Sequence, residues 1–171
     1  MYVRQAWKSD EVWLLEQFEQ LGVVDEGFRS RDYVIAVESG PDGAECGFGR
    51  VKTTEQIPAP IAELKNLVVL ETTDEDDDAV IARMTTKLLE KAYEAGCREA
   101  FFVGETSLTD SVEFSEVAPE DVPECVTSAG DDESVFKADV YAVLGHQTEE
   151  EKLESLAEEF GLQDATTKYS I

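Results

Sequence analysis

The period of the apolar positions changes several times along the chain, and each change marks an element. Residues 2–6 alternate weakly, as a strand does when its two sides meet different surroundings. Ser9 or Asp10 then stands where a helix N-cap belongs. Val12, Leu15, Phe18 and Leu21 follow at helical spacing, and Gly22 ends the run. The spacing predicts a first helix with those four residues on its buried stripe. Tyr33 to Glu38 is rich in β-branched and aromatic residues. The turn formers Gly40-Pro41-Asp42-Gly43 follow it, and Cys46 to Lys52 returns, so a β-hairpin is expected.

Pro58 and Pro60 interrupt the pattern. Glu63 to Leu70 is then apolar enough for a central strand. A helix is predicted from about Ala79 to Ala95, with Ile81, Met84, Leu88, Ala92 and Ala95 on one stripe and Gly96 just past its end. Ala100 to Val103 is a short buried strand. Strand, long helix and strand in succession form a βαβ unit, which places the two strands parallel. Beyond Gly104 the chain turns polar and acidic, with Pro119 and Pro123, and few elements are expected. Val135 to Leu144 has room for one or two strands. Thr148 and Glu151 form a capping box, and Leu153, Leu156, Ala157 and Phe160 make residues 148–162 a closing amphipathic helix. These elements predict an α/β fold on a single domain spanning 1–171.

Charge changes this picture more than any motif does. The 171 residues carry 39 Asp plus Glu against 14 Lys plus Arg, a formal net charge of −25, spread along the chain. The hydrophobic share of 42% is that of a chain able to build a core. So much like charge loosens a compact state at low ionic strength, whereas in molar salt the screening length falls to about 3 Å. The composition therefore points to a halophile's protein, with a halophilic archaeon as the expected source. Nucleic acid and anionic membrane surfaces are poor partners, since both would be repelled. Cys46, Cys97 and Cys125 are odd in number and in no CxxC pair, which argues against a disulfide framework or a zinc site. No signal peptide opens the chain and no apolar stretch approaches membrane length, so a cytoplasmic location is expected.

The chain order, with the stretches Glu63-Leu-Lys-Asn-Leu-Val-Val69, Leu88-Leu-Glu-Lys-Ala-Tyr-Glu-Ala-Gly-Cys97 and Ala100-Phe-Phe-Val103, resembles the GNAT superfamily of N-acetyltransferases. These look like its fourth strand, long helix and fifth strand. Glu113 to Val126 is similar to a segment of acetylglutamate-synthase-like members. The resemblance covers roughly residues 1–126. It implies a mixed sheet of about six to seven strands with helices on both faces, acetyl-coenzyme A as co-substrate, and a small amine or amino acid as acceptor. A homodimer is possible. In that family a loop of the type Arg/Gln-x-x-Gly-x-Gly/Ala holds the coenzyme A pyrophosphate at the start of the long helix. Here that position falls on residues 76–81, without a glycine or a base. Two functions stay open on this ground: an N-acetyltransferase, or a GNAT-like binding or regulatory module that has lost catalysis.

The resemblance also distributes roles. Glu63, with Glu71 as a second candidate, would be the general base. Leu67, Val68 and Val69 would hold the pantetheine arm along the strand backbone. Asp77, Asp78, Ala79 and Val80 would lie at the pyrophosphate. Phe28, Arg29 and Arg31, in the loop before the second strand, would shape and anchor the acceptor pocket. No metal site is expected; Asp76 to Asp78 lack the glycine and distal Glu of a calcium loop. His146, the only histidine, follows Gly145 in an expected turn without a nucleophile at motif spacing.

Overall fold

A computed structural model describes residues 1–39, 43–70, 76–104, 114–126 and 134–145. Seven strands form one sheet: β1 (Tyr2–Gln5), β2 (Tyr33–Val37), β3 (Glu45–Thr54), β4 (Ile61–Val69), β5 (Glu99–Val103), β6 (Ser115–Val117) and β7 (Val135–Asp139). Their order across the sheet is β1-β2-β3-β4-β5-β7-β6. Among the described residues three helices accompany them: α1 (Glu11–Leu21), α2 (Asp77–Glu94) and α3 (Val140–Leu144). β4 and β5 run parallel, joined by α2, and every other neighbouring pair is antiparallel. The βαβ unit and the hairpin expected from the sequence are both present.

The alternation of side chains along β2 divides the core between two faces. Tyr33, Ile35 and Val37 point with Phe48 toward Leu14 and Phe18 of α1. Val34 and Ala36 point the other way, with Val51, Ala62 and Leu64, toward Val80, Met84, Leu88, Leu89 and Ala92 of α2. Helices therefore cover both faces. Two glycines of β3 let α2 and β4 come close. A Cβ on Gly49 would stand 2.6 Å from Leu67 Cδ1, and one on Gly47 would stand 2.8 Å from the Val68 carbonyl oxygen.

Several sequence expectations shift. On α1 the buried residues are Leu14 and Phe18, while Val12, Leu15 and Leu21 are exposed. The three-residue spacing of Val12, Leu15, Phe18 and Leu21 drifts round a helix of 3.6 residues per turn, so of the four only Phe18 faces the core, beside Leu14. α2 begins two residues before Ala79 and buries Val80, Met84, Thr85, Leu88, Leu89 and Ala92. Ala95 is its C-cap and is exposed. The stretch from Val135 is one strand that passes into a helix at Val140, where the Asp139 carboxylate caps the Ala142 N–H. β6, among the acidic residues, was not anticipated. The proposed closing helix 148–162 and His146 lie outside the described residues.

Candidate functional site: a fork between β4 and β5

The ladder between β4 and β5 is short. Ile61 pairs with Glu99, Ala62 with Ala100, Glu63 with Phe101 and Leu64 with Phe102, and there it stops. β5 continues to Val103 on its β7 side. β4 runs on to Val69, still paired with β3. No described strand pairs with the other edge of residues 65–69.

A bulge sits where the two strands part. Between the pairs Arg50–Lys65 and Phe48–Val68, β4 uses one residue more than β3. Asn66 takes the left-handed conformation there, with φ 51°, a region in which Asn is enriched among non-glycine residues. The extra residue resets the alternation of β4. Leu67 and Val69 turn toward the α2 core, and Val68 turns toward α1.

A buried polar network holds this bulge from the α1 side. The Arg50 side chain is 4% exposed. Its Nη1 donates to Asp25 Oδ1 at 2.6 Å and to the Glu26 carbonyl at 3.2 Å. Its Nη2 donates to the Gly27 carbonyl at 3.0 Å and to Asp32 Oδ2 at 3.1 Å. The Tyr33 hydroxyl donates to Asp25 Oδ2 at 2.6 Å and accepts from Asn66 Nδ2 at 3.1 Å. One guanidinium thus ties the loop before β2 to the sheet, and one phenol extends the tie to the bulge. Burial, then the bond to Asp25, pushes the Tyr33 phenol far above its usual range, so it stays a donor. Burial opposes the Arg50 charge, but Asp25 and Asp32 outweigh it and the net shift is upward.

Glu63 lies one residue before the ladder ends. It is not at an exposed strand start, as the sequence suggested: β4 begins at Ile61 and Glu63 is 5% exposed. Its cross-strand neighbours are Lys52 on β3 and Phe101 on β5. Pairing places it on the same face as Arg50 and Lys65. A carboxylate so withdrawn from water is uncommon on a strand.

The start of α2 carries Asp76, Asp77 and Asp78. The Asp76 carboxylate caps the helix, accepting from the Ala79 N–H at 3.3 Å, and the Val80 N–H bonds the Asp76 carbonyl at 3.0 Å. Asp77, Asp78 and Ala79 are exposed, whereas the Val80 side chain is fully buried among core residues. The protein's own carboxylate takes one N–H that an incoming anion would use.

The acceptor-loop candidates separate. Phe28 packs edge-on against Phe18 and tilted on Tyr33, both at 5.6 Å between centroids, on the α1 face. Arg29 is exposed. Arg31 lines a different cavity with Lys91 of α2, so the structure does not bring it to Phe28. Glu71 lies outside the described residues. Tyr93 and Tyr141 stack edge-on at 5.4 Å between α2 and α3, away from Glu63. Asp25, Tyr33, Arg50 and Asn66 were not singled out in the sequence. The one cue was Arg50, a base among the apolar and glycine residues of 46–51. Among the described residues no group of acids, thiols and imidazoles is placed to hold a metal ion, and no helix is long and apolar enough to cross a membrane.

No protein-family model matches the chain, and no curated protein sequence matches it. Solved structures do. N-acetylglutamate synthase from Neisseria gonorrhoeae, complexed with coenzyme A and N-acetyl-glutamate, superposes with a TM-score of 0.59 at 19% identity, over 81% of this chain and 34% of that one. Rv2747 from Mycobacterium tuberculosis, in complex with CoA and NLQ, gives 0.61 at 15% identity over 81% and 99%. An acetyltransferase of the GNAT family from Staphylococcus aureus gives 0.58 at 10% identity over 81% and 98%. The chain spans about a third of the length of the N-acetylglutamate synthase structures. At these identities the likeness defines the fold, a GNAT-type α/β sheet of seven strands.

Proposed function

We propose that this chain is an acetyl-coenzyme A-dependent N-acetyltransferase acting on a small amine or amino acid. The observation that carries the proposal is the fork: β4 outruns its ladder with β5 at Leu64, one residue after a buried Glu63. The unpaired β4 edge at Leu67 to Val69 suits the amide-bearing pantetheine arm, which can bond to it as a strand would. Bound there, acetyl-coenzyme A supplies the acetyl thioester. Glu63 takes the proton of the acceptor ammonium or amine. The loop held by Arg50 and Asp25, with Phe28 on its inner side, forms the wall on the acceptor side. The two solved relatives that carry coenzyme A in their complexes support the proposal by fold.

A second function, a GNAT-like module that binds without catalysis, is favoured by one contact. Asp76 caps the Ala79 N–H with a negative charge where the pyrophosphate would lie. Incubation with acetyl-coenzyme A and a panel of amino acids and small amines in molar KCl, followed by mass spectrometry of the acceptors, separates the two. The enzyme reading expects one acceptor to gain an acetyl group and Glu63→Gln to slow this at least ~100-fold. Binding of acetyl-coenzyme A with no acetylated product in any reaction would favour the module.

A further inference from the structure

A cavity of about 680 Å³ opens between the end of β1, the start of β2, Val51 and Thr53 of β3 and the last turn of α2. Its volume falls within the range of small-molecule sites. Trp7, Lys8, Arg31 and Lys91 line it, together with Asp32 and Glu94. We propose that this cavity binds a small organic anion through a carboxylate or phosphate group.

The charge of its wall is the first ground. The chain has 39 acidic residues against 14 basic ones, yet three bases converge here. Among the described residues, no carboxylate lies within ion-pairing distance of Lys8, Arg31 or Lys91. Of the two acids on the wall, Asp32 is already committed to Arg50 at 3.1 Å. In so acidic a molecule, bases with no carboxylate in ion-pairing distance around one concavity favour an anion there.

Lys91 is the second ground. Its ammonium is half-buried and donates to Gln5 Oε1 and, at 2.8 Å, to the Arg31 carbonyl. Both acceptors are neutral. An ammonium has three donors, so one stays available. Burial pulls Lys91 below the usual lysine range, and Asp32 and Glu94 only partly oppose this. A buried cation held by neutral oxygens gains more from an incoming anion than an exposed one does. Trp7 supplies the third ground. Arg4 covers one side of its ring at 4.8 Å, yet the residue remains 60% exposed and forms part of the wall. Its free surface offers an apolar or planar contact to the body of the ligand.

The test is titration of the full chain with citrate and, separately, with pyrophosphate, followed through the Trp7 indole N–H by ¹H–¹⁵N NMR. The KCl concentration is the lowest that keeps the fold. A saturable shift of Trp7 with either probe is expected; the stronger probe tells carboxylate from phosphate preference. Lys8→Gln and Arg31→Gln are each expected to weaken it about tenfold, and Lys91→Met at least as much. Lys137→Gln, on β7 and outside the cavity, should leave it unchanged. Raising KCl should weaken binding, since the wall is basic. The proposal is overturned if neither anion gives a saturable Trp7 shift. It is equally overturned if the shift survives unchanged in the folded Lys8→Gln and Arg31→Gln variants.

Discussion

Asn66 on β4 donates to the Tyr33 hydroxyl on β2 at 3.1 Å, reaching over β3, which lies between the two strands. The bond fixes a left-handed residue at the point where β4 leaves β5. It also places the bulge, the Tyr33 phenol, Asp25 and Arg50 in one buried unit with the loop before β2. The fork and the wall of the proposed acceptor site therefore share a single set of hydrogen bonds.

Breaking that unit at its phenol should be felt in stability. Tyr33→Phe removes a partner from both Asp25 and Asn66 and is expected to cost about 1–3 kcal/mol. Arg50→Met leaves Asp25 and Asp32 facing each other without their cation and should cost more, about 3–5 kcal/mol. Urea unfolding of the two variants measures both. Equal and small losses would mean the network is ornamental to the fold.

The core of α2 gives a sharper contrast. Leu88 is fully buried, and Leu88→Ala is expected to cost about 2–5 kcal/mol. Val12 is 69% exposed, and Val12→Ala should stay within about 0.5 kcal/mol. Thermal melts of the pair test the assigned helix faces, and a reversal of their order would show one of the faces to be misassigned.

One ion pair carries a pH signature. Arg4 holds Asp10 through two hydrogen bonds of 2.8 and 3.0 Å, and Asp10 also accepts from the Trp7 N–H at 2.7 Å. The hydrogen bond from Arg4, ahead of the other causes, pulls the Asp10 carboxyl below its ordinary 3.8. A carboxyl depressed in the folded state stabilises above its unfolded pKa, and that contribution fades as pH falls through the folded one. Asp10→Asn should therefore lower stability by about 1 kcal/mol near neutrality, with the gap closing below 3.8. A gap of constant size across that range would contradict the pairing.

Where the sequence was legible, one strong local signal agreed with the tertiary need. Gly22 ends α1 in the left-handed conformation, the apolar run around Leu64 is a central strand, and α2 with β5 closes a parallel pair. The α1 face was misread because its Val12–Leu15 stripe is apolar yet faces solvent, and no local pattern reports what a helix will meet. The passage of β7 into α3 turns on Asp139 acting as an N-cap, a weak signal inside a β-branched run. Glu63 was singled out only through family resemblance. The bulge at Asn66 and the Arg50 network were not, since they arise from residues far apart in sequence that meet only across three strands.

The acidity itself makes a prediction. With a net charge of −25, repulsion at roughly physiological ionic strength is screened only beyond about 8 Å. Cooperative unfolding followed by circular dichroism should therefore be lost or strongly shifted downward there, and restored in molar KCl. A midpoint independent of KCl would remove the ground for a halophilic origin.

Calorimetry with acetyl-coenzyme A across a KCl series tests the central claim most directly. The start of α2 attracts a pyrophosphate with its N–H groups and repels it with Asp76, Asp77 and Asp78; salt mutes the repulsion. Binding is expected, and it should strengthen as KCl rises. Asp76→Gly, which frees the Ala79 N–H at little cost to the helix, should tighten it about tenfold or more. No detectable binding at any salt, for the native chain and for Asp76→Gly alike, would contradict the assignment of the fork as a coenzyme A site.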